Sequence, residues 1–142
     1  MSELDLGDGV IVRVPERDTR FCEALQRVWD RLRELSPLTV QKIGEHWEKQ
    51  TKSPIICRHH ERINGEHLAA TSRDGFFLEY FGLELDKKDL AYVEFVIAQL
   101  LAHVHAWAVV AVDMSGTDSE VSERIQTYGY ETSRRWGFGQ SA

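Results

Sequence analysis

Residues 86–113 constrain this chain more than any other stretch. After Asp86-Lys87-Lys88-Asp89 the sequence runs to Asp113 with Glu94 as its only interior formal charge. A segment this apolar cannot stand in water on every side, so other elements must cover it. Leu90, Val93, Ile97, Leu100 and Leu101 recur at helical spacing. Ala106 to Val112 is a short apolar run rich in Val, the pattern of a central strand buried on both faces. The expectation is a helix that feeds a core strand. As a membrane span, residues 95–112 would carry Gln99, His103 and His105 and lack basic flanks. A soluble core, away from any membrane, is the better reading.

The chain has 142 residues, enough for one domain with a real core. We expect an acidic tail over 1–8, the domain over 9–138 and a short tail over 139–142. Its formal net charge is -6, which disfavours nucleic acid as a partner because phosphate contacts need basic surface. Cys22 and Cys57 fall in different expected elements and form no metal or redox pair motif. They read as reduced thiols in a cytoplasmic protein. The N-terminus shows no apolar signal region.

In chain order, Val10–Val14 is a β-branched strand ended by Pro15. Asp18 or Thr19 can cap a helix whose apolar stripe is Phe21, Leu25, Val28, Leu32 and Leu35. Ser36-Pro37 opens a second helix, with Val40, Ile43 and Trp47 inward. Asn64-Gly65 is a strong hairpin signal that pairs Ile63 with Glu66. A three-residue turn at Arg73-Asp74-Gly75 then completes a meander. That register places Ile55, Cys57, Leu68, Ala70, Leu78 and Tyr80 on one face. Arg58, His60, Arg62, His67, Phe77, Glu79 and Phe81 fall on the other. Thr117 to Glu120 matches a capping box, opening a helix that Gly129 can end. Tyr130 to Trp136 reads as a last strand. Together these elements imply an α+β domain of three layers, α/β/α, with a mixed, mainly antiparallel sheet.

This order, β-α-α-β-β-β-α-β-α-β, resembles the GNAT family of N-acetyltransferases. The family's last helix often reads N-x-x-A-x-x-x-Y-x-x-x-G-F. Asp118, Val121, Ile125, Gly129 and Tyr130 hold the same spacing. The resemblance implies acetyl-CoA as cofactor, its pyrophosphate resting on a glycine-rich turn before the long helix. The matching turn here, Leu85 to Ala91, has no glycine and sets Asp86 and Asp89 at the helix start. Lys87 and Lys88 are left as phosphate contacts. Ile125 stands where the family often has its tyrosine general acid. The expected function is therefore a non-catalytic binding or regulatory protein on a degenerate acetyltransferase-like scaffold, holding a protein partner or a small ligand, with no cofactor. The alternative is an N-acyltransferase with an atypical acetyl-CoA site, in which Tyr128, Glu79 or His67 handles the proton.

Two further surfaces stand out. Arg58, His60, Arg62 and His67, with Phe77 and Phe81 beside them, fit an anion, an acidic partner or a covering protein. An apolar patch around Trp136 and Phe138 would support a homodimer. The six histidines split across elements and faces without a ligand motif, so no metal is expected.

Overall fold

The computed structural model describes residues 2–7, 9–15, 18–49, 54–59, 68–72, 75 and 77–139. Its elements are β1 (Ser2–Gly7), β2 (Val10–Val14), α1 (Thr19–Leu35), α2 (Pro37–Lys49), β3 (Ile55–His59), β4 (Ala69–Thr71), β5 (Phe77–Phe81), α3 (Gly82–Leu85), α4 (Leu90–Val109) and α5 (Asp118–Arg135). The sheet runs β1-β2-β3-β5-β4. β2, β3 and β5 are parallel, while β1 and β4 are antiparallel strands at the two edges. The α+β class is as expected.

The expected N-terminal tail is instead an edge strand. Leu4 and Leu6 alternate with Glu3 and Asp5, and only the leucines turn inward. Gly7 (φ 108°) and Gly9 (φ 79°) supply the positive dihedrals that fold β1 back on β2.

The buried strand residues Leu6, Val12, Val14, Ile56, Leu78 and Tyr80 join one core with the inward stripes of α1, α2 and α4. Phe21 stacks on Tyr80 with ring centroids 3.9 Å apart. Trp29 stacks on Trp47, whose indole N–H donates to the Gly75 carbonyl at 3.0 Å. The opposite sheet face carries the exposed Glu3, Asp5, Arg13 and Phe77. Among the described residues the helices thus lie on one face, giving two layers where three were expected. The charges on the outer face are the physical reason: no apolar helix could cover them without stranding them.

The meander is also rearranged. β3 pairs in parallel with β5, aligning Ile56 with Leu78, Cys57 with Glu79 and Arg58 with Tyr80. β4 is pushed to the edge, so β3 and β4 do not form a hairpin with each other; Asn64-Gly65 itself lies outside the described residues. β5, with its aromatic and branched side chains, takes the central place that the small Ala69-Ala70-Thr71 cannot fill. β4 and β5 do pair as a hairpin, one residue out of the expected register, with Thr71 opposite Leu78 and Ala70 opposite Glu79. Ser72 sets this register: its N–H donates to Phe77 O at 2.9 Å, and its hydroxyl accepts from Phe77 N at 3.0 Å.

The expected core strand at 106–112 does not form. α4 is one helix of 20 residues, ending where Val110 turns left-handed at φ 50° and donates to Ala106 O. The expected last strand is helical too, because α5 continues to Arg135 with Gly129 in its interior. Its real stop is Gly137. Gly137 N donates to Arg134 O and Phe138 N to Ser133 O, the Schellman pattern. That ending drives Phe138 into the core, where Arg31 lies 4.6 Å from its ring centroid. The Trp136/Phe138 patch is consequently not a surface patch. The α1 stripe holds except for Leu35, which is exposed. α2 begins at Pro37, and the Thr117/Glu120 capping box is formed.

Candidate functional site

α5 packs on α4, and β4 is an edge strand of the sheet. Between β4, α4 and α5 runs a groove of about 400 Å³. Val96, Leu100 and Trp107 line it from α4; Val121 and Ile125 line it from α5. Gln99, His103, Ser122 and Gln126 place polar groups along it, and β4 forms the remaining wall. The α4 residues fall at 92, 96, 99, 100, 103 and 107, one helical stripe. Those on α5, at 121, 122, 125 and 126, form a second stripe facing it. Of the described lining residues, none is Asp, Glu, Lys or Arg. In a chain that is 28% charged, a surface of this size would ordinarily carry several.

The two helices approach closely because Gly129 is a glycine. A Cβ there would run into the His103 ring and sit 3.3 Å from Gln99 O. Further along, His105 Nδ1 and Tyr128 Oη share a hydrogen bond of 2.8 Å with their rings stacked. Burial lowers the His105 pKa and raises that of Tyr128.

A second cluster lies where the parallel strands end. Arg58, on the core side of β3 opposite Tyr80, donates to Asp18 at 3.2 Å and to both oxygens of Asp86. Its guanidinium lies against Gly82, where a Cβ would collide with it. Asp18 occupies the N-cap of α1 but makes no cap hydrogen bond. Its carboxylate, in a residue only 8% exposed, serves Arg58 instead. The hydrogen bond from Arg58 holds the Asp86 carboxyl below its usual range. Arg20 donates to the carbonyls of Asp86 (2.8 Å) and Lys88. Asp89 accepts from Tyr92 N at 2.9 Å as the α4 N-cap. Lys87 and Lys88 each lie 4.0 Å from Glu84.

The expected binding face does not assemble among the described residues. Arg58 is on the core side and occupied by two carboxylates, whereas Phe77 is exposed on the outer face. Phe81 is two residues from Glu79 on that same face. Glu79 lies there 3.6 Å from His59. Tyr128 belongs to the α4–α5 contact, so it does not meet Glu79. His60, Arg62 and His67 lie outside the described residues. No group of three or more potential metal ligands comes together among the described residues. The groove residues Gln99, His103, Trp107, Ser122 and Gln126 were not expected as a site. Their one signal in the sequence is that Gln99 and His103 interrupt an otherwise apolar helix.

Comparison with protein-family models found no match to this chain, and neither did comparison with curated proteins or with solved structures. What fold and groove define is a class: an α+β domain with an uncharged groove at the edge of its sheet.

Proposed function

We propose that this chain is a non-catalytic binding protein that holds an uncharged partner in the groove between β4, α4 and α5. The observation that carries the reading is the lining: apolar walls with amide, hydroxyl and imidazole groups and no described formal charge. Such a surface recognises by fit and a few hydrogen bonds. The proton-handling candidates Tyr128 and Glu79 sit on separate surfaces, which disfavours an acid–base pair. An acetyl-CoA-dependent N-acyltransferase rests on the family resemblance alone. At the turn from Leu85 to Ala91 the Asp86 and Lys88 carbonyls accept from Arg20, and the Asp89 carboxylate accepts from Tyr92 N. Asp86 and Asp89 oppose a phosphate there. The observed order has no strand after α4 among the described residues and so departs from the one that carried the acetyltransferase likeness; the reading rests on the groove, in a setting we take to be cytoplasmic.

The test is a two-dimensional amide NMR screen against uncharged, drug-fragment-sized molecules. Shift changes should gather at Thr71, Gln99, Trp107 and Gln126. Changes confined to the Phe77/Phe81 face or to the 86–89 turn would overturn the assignment. Gln126→Glu, which sets a charge on the groove wall, should weaken fragment binding about tenfold, roughly 1.4 kcal/mol, with an unchanged melting temperature.

A further inference from the structure

β4 is an edge strand, and its hydrogen bonding alternates. Leu68 O accepts from Phe81 N at 2.8 Å, and Ser72 N donates to Phe77 O at 2.9 Å. Residues 68, 70 and 72 therefore direct their backbone groups at β5, and Ala69 and Thr71 direct theirs away from it. Among the described residues nothing pairs with the outward N–H and C=O groups of Ala69 and Thr71. Natural edges are usually blunted by charge or proline. The other edge, β1, carries Glu3 and Asp5. β4 reads Ala69-Ala70-Thr71, with neither charge nor proline. This short edge borders the groove, with α5 lining the groove's far side.

We infer that the groove takes an extended, uncharged segment of another polypeptide, added to β4 as a further strand. The inference rests on the groove being the binding site and names its ligand class. Backbone hydrogen bonds to Ala69 and Thr71 would supply the pairing, and alternate side chains would enter the groove. Val96, Leu100, Trp107 and Ile125 select apolar, branched side chains there. Gln99, Ser122 and Gln126 suit neutral polar ones. A carboxylate or ammonium would lose water and meet no described opposite charge, so charged segments are excluded. Three strand residues span about 10 Å, matched by about three residues of the added strand. A cavity of about 400 Å³ takes the side chains of one strand. A second copy paired edge to edge would bring its own α5 against this one.

The probe is a capped peptide of alternating Val and Thr, about seven residues long, added to the full chain. Amide hydrogen exchange at Ala69 and Thr71 should slow about tenfold or more, while Ala70 and Ser72, already bonded to β5, stay as they were. N-methylating the peptide at every second residue should abolish this in one register and spare it in the other. Thr71→Pro removes an outward donor at an edge position where proline is tolerated. It should abolish peptide binding in a chain that still unfolds cooperatively; Ala69→Pro serves equally if Thr71→Pro does not fold. If fragments bind in the groove while Ala69 and Thr71 stay unprotected with peptide, the added strand is wrong and the binding groove stands. If neither binds there, both readings fall. A dimer in sedimentation, with Ala69 and Thr71 protected before any peptide is added, would make a second copy the occupant and overturn the inference.

Discussion

Arg58 shows how one residue's neighbours decide its meaning. Alternation alone placed it on a polar sheet face. The parallel pairing with β5 turned it inward, where the carboxylates of Asp18 and Asp86 offset the cost of a partly buried guanidinium. Arg58→Met would leave Asp18 buried without its partner. The cost should be about 2 kcal/mol, below that of a fully buried pair because the Asp86 side chain is 44% exposed. In a thermal melt this is a drop of about 4–8 °C. Asp18→Asn added to Arg58→Met should recover part of the loss. The Asp86 pKa is depressed in the folded state, so its stabilising effect is present above about pH 4 and lost as pH falls below. Arg58→Met should flatten that acid limb. His105 acts in a different window. Burial depresses its folded pKa from an ordinary value near 6.5, so the unfolded chain takes the proton first and stability falls as pH drops through that region. Melting temperatures recorded from about pH 7 to about pH 5 should decline less in His105→Gln than in the parent chain.

At the scale of elements, helix ends rather than helix middles set this architecture. The run from Ala106 to Val112 has strand composition, but α4 enters it already formed, and each further residue adds a hydrogen bond for little extra entropy. Ala102 and Ala106 are fully buried, and their small side chains keep the helix close to its neighbours. α4 stops at Val110, a β-branched residue held left-handed and 68% exposed. That conformation costs about 1–2 kcal/mol, and no packing there would be lost on substitution. Val110→Gly should therefore stabilise the chain by about 1 kcal/mol, a rise of about 2–4 °C in the melting temperature. Gly129→Ala should act oppositely. Its Cβ displaces the His103 ring between α4 and α5 and should cost about 1–3 kcal/mol by denaturant melt, with shifted resonances along the groove.

At the scale of the whole molecule, the prediction concerns acyl-CoA. Acetyl-CoA binding only the folded chain, at about a hundred times its dissociation constant, would add about 2.7 kcal/mol. We expect no such rise in the melting temperature. A clear one, reduced by Lys87→Glu/Lys88→Glu, would return the chain to the acyltransferase reading. Much of the fold was legible one element at a time: the α1 and α2 stripes, the Ser36-Pro37 start, the Thr117/Glu120 capping box and the α+β class. These rest on contacts within one turn or one period of chain, which residue spacing encodes directly. The β1 strand was legible too, in the Leu4/Leu6 alternation and the Gly7–Gly9 turn, but its acidic residues read as a tail. The strand order, the inward side of Arg58, the single covered sheet face and the groove were not legible. Each depends on which of several chemically acceptable partners meet across long stretches of chain, as when β5 displaces β4 from beside β3. Sequence by itself determined that residues 90–101 form a helix that must be covered. Only the tertiary structure decided what covers them and what they leave open, because packing settles those choices between residues far apart in the chain.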